Sequence, residues 1–166
     1  TGNVAGGMRS ADEQQLSVKE KRAGEAYYRA DSKWMIYQAE VADDNPFYQI
    51  FLKNIESGAV TQVSPGTGKT TCAWVHPSQE KVLFSSTHDD KEAKAKMAAE
   101  IERRNAGEQK SYAWDYDEYY DIYETDFSGG HIRNLTNTLG YDAEASWSPD
   151  GKLIAFTAQM GGFEIC

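Results

Sequence analysis

The stretch Ala145-Ser146-Trp147-Ser148-Pro149-Asp150-Gly151-Lys152-Leu153-Ile154-Ala155-Phe156 decides the fold. Asp150-Gly151 is a strong short hairpin signal, because both residue types tolerate positive φ at the centre of a tight turn. It separates two predicted strands, near 142–147 and 152–158. Upstream, strands are predicted near 119–126 and 131–135, joined through Ser128-Gly129-Gly130. The run Leu153-Ile154-Ala155-Phe156 does not alternate between apolar and polar, and neither do Val82-Leu83-Phe84 and Trp34-Met35-Ile36-Tyr37. Continuous apolar runs suit strands covered on both faces.

The same pattern recurs. Shifting the chain by 72 residues lays segment 48–86 on 120–158 without a gap. Tyr48, Ile50, Gly58, Gly68, Ala73, Pro77 and Phe84 meet Tyr120, Ile122, Gly130, Gly140, Ala145, Pro149 and Phe156. A further copy places Leu16, Glu25, Ala26, Asp31, Lys33 and Ala39 on Leu135, Glu144, Ala145, Asp150, Lys152 and Ala158, and is expected to lack its first strand. Another copy begins at Phe163-Glu164-Ile165-Cys166. Repeats of this length that each supply four short strands stack as a radial set of sheets, each sandwiched between neighbours. The expectation is an all-β fold, an incomplete β-propeller of four-stranded blades with one helical insertion. A ring needs at least about four blades, and about two and a half are read here. The chain is therefore expected to be one sector of a longer polypeptide, or to be completed by further chains.

The segment 145–156 resembles the signature of the TolB-like (WD-like) β-propeller repeat. Tyr120-Asp121-Ile122-Tyr123, with Gly129-Gly130 and Leu135-Thr136, is similar to the first half of that repeat. The earlier copy departs from it, with Trp74-Val75-His76-Pro77 in place of Trp-Ser-Pro and Ser78-Gln79 in place of Asp-Gly. The resemblance implies a non-catalytic protein–protein interaction scaffold of the bacterial cell envelope, periplasmic or extracellular as a mature exported protein, whose partners are other proteins. The blade is also similar to those of tricorn-type and prolyl-oligopeptidase-type proteases. That implies the alternative, a substrate-gating propeller of an exported peptidase whose catalytic domain lies outside this chain.

Composition narrows the choice. The 166 residues carry a formal net charge of −9, which repels phosphate backbones and argues against nucleic acid. No apolar run is long enough to span a membrane as a helix. Residues 1–14 read as an N-terminal extension and 15–166 as the propeller segment, with a helical insertion over 88–118.

Within that insertion, Asp89-Asp90 open and Arg103-Arg104 followed by Gly107 close a predicted helix over 89–104. Ala93, Met97 and Ile101 form a narrow apolar stripe. After it comes the most unusual stretch, which includes Trp114, Asp115, Tyr116, Asp117 and Tyr119. No Lys or Arg interrupts its carboxylates. Tyr and Trp offer large contact area at low entropic cost, so these five residues are the candidate partner-binding set. Asp115 and Asp117 could instead hold a hard cation such as calcium. The simplest alternative is a blade entrance where aromatics pack and acids face water.

Other motifs carry less. Gly66-Thr67-Gly68-Lys69-Thr70 lacks the first glycine of a phosphate loop, since Val63 stands there, and a strand follows it rather than a helix. His76, His88 and His131 have no ligand spacing, and His76 is expected to replace a turn serine of the repeat. No Gly-x-Ser-x-Gly elbow is present, and no catalytic residues are assigned. Cys72 and Cys166 are expected to be buried free thiols in strands of different blades.

Overall fold

The computed structural model describes residues 20–108 and 116–166. Among these described residues, eleven strands and one helix run in the order β1 (Arg22–Tyr28), β2 (Trp34–Glu40), β3 (Gln49–Asn54), β4 (Val60–Gln62), β5 (Thr70–Val75), β6 (Lys81–Ser86), α1 (Ala93–Asn105), β7 (Asp121–Asp126), β8 (Arg133–Asn134), β9 (Asp142–Trp147), β10 (Ile154–Gln159) and β11 (Phe163–Ile165). They form three antiparallel sheets: β1-β2-β3-β4, β5-β6-β7-β8 and β9-β10-β11. Each is a meander, so its connections alternate between two ends. One end carries the tight turns, including 148–153. The other carries the links 41–48, 63–69, 87–120, 135–141 and 160–162.

The strands of the repeat are where the spacing predicts them, but the sheets divide them differently. The copy 48–86 contributes β3 and β4 to the first sheet, and β5 and β6 to the second. A sequence repeat fixes a period and leaves its phase open. Here β2 and β3 pair from Trp34↔Asn54 to Ala39↔Gln49 across the eight-residue link, which places the blade boundary between β4 and β5. The first sheet is thus four-stranded, with β1 and β2 opening it. The insertion likewise interrupts a blade rather than joining two: β6 pairs with β7 in unbroken register from Lys81↔Asp126 to Ser86↔Asp121.

The core lies between sheets. Ile36, Ile50, Leu52 and Val63 of the first face Ala73, Val75, Val82, Phe84 and Tyr123 of the second. On the other side of the second sheet, Leu83 and Ile122 meet Ala145 and Trp147 of the third. Val82, Leu83 and Phe84 are all fully buried, because successive side chains point to opposite faces and both faces are covered. The comparable run in the third sheet leaves Leu153 at 71% exposed, its outer face having no neighbour among the described residues. Cys166 is exposed and Cys72 half-buried; both are free thiols, but the expected full burial is absent.

Helix α1 starts four residues later than its acidic residues suggest. Asp90 accepts backbone N–H groups from Glu92 through its side chain and from Ala93 through its carbonyl, an arrangement that builds turns before the first helical residue. Its end follows the expected signals: Arg103 and Arg104 lie in the last turn, and the Gly107 N–H bonds back to the Arg104 carbonyl at φ 74°.

Candidate interaction surface

The insertion joins β6 to β7, and its described residues lie at the end of the molecule that holds the longer links. It touches all three sheets. Toward the first sheet, Arg104 reaches Glu40 Oε1 at 2.9 Å and the Pro46 carbonyl at 2.6 Å. Glu40 is also held by Arg22, and Glu100 by Arg103 and Arg104. The Arg103 guanidinium, followed by that of Arg104, outweighs burial and holds the Glu100 carboxyl at about 2.

In the middle, Asp117 lies between Lys96 Nζ at 3.1 Å and Lys69 Nζ at 3.3 Å, and Lys96 also contacts Asp90 at 2.7 Å. Burial opposes ionisation of Asp90. The Lys96 ammonium and the Glu92 N–H more than offset it and keep the carboxyl below its usual range. Toward the third sheet, the Tyr116 hydroxyl donates to Gln159 Oε1 at 2.6 Å, and its ring stacks on Tyr141 at 5.9 Å between centroids.

Of the five predicted contact residues, Trp114 and Asp115 lie outside the described residues. Asp117 is 7% exposed and faces inward onto two lysines. Tyr116 and Tyr119 are 45% and 41% exposed, and the Lys96 ammonium lies 5.0 Å from the Tyr119 ring centroid. The outward part is thus Tyr116, Glu118 and Tyr119, with Asp117 anchoring it from beneath. Among the described residues no set of three His, Cys, Asp or Glu side chains is arranged to hold a metal.

A second feature lies along the first strands of the three sheets. An open cavity of about 360 Å³ is lined by Glu25 and Tyr27, by Cys72, Ala73 and Trp74, and by Glu144, Ala145 and Ser146. These are the same repeat positions in three blades. In each strand the pairing register slips here. The leading residue takes a left-handed conformation: Glu25 at φ 50°, Cys72 at 51° and Glu144 at 61°. A bulge of this kind turns a side chain out of the strand's alternation. Burial pushes the Cys72 thiol up to about 12, and the charges of Glu25 and Glu144 add to it. Sequence reading singled out none of these residues for function, although the repeat alignment already superposed Glu25 on Glu144.

The remaining motifs are structural. The Gly68 carbonyl accepts from Asn45 and Gln49, and the loop 66–69 runs into β5. His76 sits at the turn position expected of a serine, its Nδ1 accepting the N–H groups of Ser78 and Gln79.

No family model matches the chain, and no curated protein does. Solved structures do. TolB from Acinetobacter baumannii superposes with a TM-score of 0.57 at 20% identity, over 87% of this chain and 29% of that one. A putative TolB from Agrobacterium tumefaciens superposes with a TM-score of 0.60 at 16% identity, over 86% of this chain and 40% of that one. The chain spans well under half the length of these structures, and the likeness at such identities is one of fold. The chain shares the fold of part of these TolB β-propeller structures.

Proposed function

We propose that this sector serves a non-catalytic protein–protein interaction scaffold of the cell envelope, periplasmic or extracellular, and that its docking end is the one carrying the insertion. The observation that carries this reading is the anchoring of the insertion. Ion pairs tie it to the first sheet through Arg104, hold it at the second through Asp117, and a hydrogen bond from Tyr116 ties it to the third. A segment held at three places keeps Tyr116 and Tyr119 in fixed positions, so their contact area is offered at little further entropic cost.

Site-specific photocrosslinking in intact cells tests the reading. A crosslinker at position 116 or 119 is expected to give discrete protein adducts in the envelope fraction. The same group at Lys33 or Ser57, at the opposite end, is expected to give none. Equal adducts at both ends, or none at the insertion end, would overturn it.

A further inference from the structure

We propose that the cavity along β1, β5 and β9 is a binding site for an alkylammonium group. This cavity is separate from the docking end. Two exposed carboxylates, Glu25 and Glu144, line the cavity, and neither has a cationic partner among the described residues. Glu25 accepts from the Tyr27 hydroxyl at 3.5 Å and faces the Cys72 sulfur at 3.8 Å. Glu144 accepts from the Thr157 hydroxyl at 2.9 Å. The two glutamates lie on different blades, flanking the Cys72 thiol, which stays protonated and adds no charge of its own.

Aromatic and aliphatic surface completes the wall. The rings of Tyr27 and Trp74 meet at 4.9 Å and 43°, and Ala73 and Ala145 line the cavity with them. An aromatic face attracts a cation through its quadrupole, and indole does so best. Carboxylates beside π faces and alanine methyls match an ammonium head on an alkyl stem. A hard divalent cation wants six or more oxygen ligands, which a wall of rings, methyls and a thiol does not provide. The volume of about 360 Å³ lies within the range of small-ligand sites. The repeated bulge is the device that assembles the site, since it brings positions 25, 72 and 144 to one cleft.

The ammonium can belong to a free amine or to a lysine side chain, and the experiment separates the two. Calorimetric titration of the chain at low ionic strength uses n-butylammonium, spermidine and a capped Ala-Lys-Ala peptide. Saturable one-to-one binding of at least one of the three is expected. Affinity is expected to fall about tenfold or more in Glu25→Gln/Glu144→Gln, and about threefold to tenfold in Tyr27→Leu. Asp31→Asn, a carboxylate outside the cavity, should leave affinity unchanged and serves as the folded control. Tighter binding of the peptide would assign a lysine side chain, and tighter binding of a free amine would assign a small amine; both support the site. Absence of saturable binding, equal affinity in the double Gln variant, or binding of calcium without any of the ammonium ions would overturn it.

Discussion

Ser148 and His76 occupy the same place in the repeat and stabilise the same kind of turn with different atoms. The Ser148 hydroxyl accepts the Leu153 N–H at 3.0 Å and donates to Asp150 at 2.6 Å. In the neighbouring blade, the His76 Nδ1 accepts two backbone N–H groups, which leaves Nε2–H to donate to the Gly151 carbonyl at 3.2 Å. His76 is thereby both a turn cap and a tie to the next blade, and its ring packs edge-on against Trp147 at 4.8 Å. Gly151 is the residue this arrangement cannot change. It sits at φ 71°, and a Cβ there would come within 2.5 Å of the His76 ring. Gly151→Ala is expected to destabilise by about 2–4 kcal/mol, from the left-handed backbone and the forced shift of the imidazole together. Denaturant melts check this. A loss under about 1 kcal/mol, the lower end for overpacking alone, would mean that the two blades separate there without resistance.

Helix α1 is held to the molecule chiefly by charge, for among its residues only Ala93 is fully buried. Arg104 bonds Glu40, Glu100 and the Pro46 carbonyl at once. Arg104→Met is expected to cost about 1–3 kcal/mol, the usual worth of charge-assisted hydrogen bonds, with Arg22 left to satisfy Glu40. The same clasp responds to acid. Glu100 is depressed to about 2 in the folded chain, against about 4.3 for an unperturbed glutamate. Its contribution is therefore fully present above the unfolded value and is lost as pH falls from about 5 to about 2. The stability advantage of the native chain over Glu100→Gln is expected to be about 1–2 kcal/mol at pH 7, discounted for solvent screening, and to vanish near pH 2. An advantage that persists unchanged at pH 2 would show that the clasp does not depend on ionised Glu100. The strands were legible in the sequence because Gly, Pro and apolar positions recur from copy to copy, and this helix because acids open it and Arg103, Arg104 and Gly107 close it. The phase of the blades was not, because hydrogen bonding between β2 and β3 is a tertiary choice that no spacing records. The inward turn of Asp117 was hidden for a similar reason, since its partner Lys69 lies 48 positions away in the chain. The left-handed bulges at Glu25, Cys72 and Glu144 left no glycine to announce them.

Across the whole molecule, burial is distributed by blade. The second sheet is covered on one face by the first and on the other by the third. Its strand β6 pairs with β5 on one side and with β7 on the other, and five of its six residues are buried. At the flanks, every residue of β1 is exposed, its register with β2 slips between Gly24 and Tyr27, and β11 pairs over three residues only. Opening an element costs the apolar contacts and hydrogen bonds it gives up, so local stability follows this gradient. Native-state hydrogen exchange is expected to find the amides of Val82, Phe84 and Ile122 slowest, opening only with the whole chain. Amides of β1 and β11 are expected to exchange at least about a hundredfold faster, through local fraying that stops at β2 and β10. Denaturant should accelerate exchange at β6 steeply, because much surface is exposed there on opening, and exchange at β1 hardly at all. If β1 proves as protected as β6, with the same denaturant dependence, the three sheets unfold as one cooperative unit. The flanking strands would then be held by more than the pairing seen here.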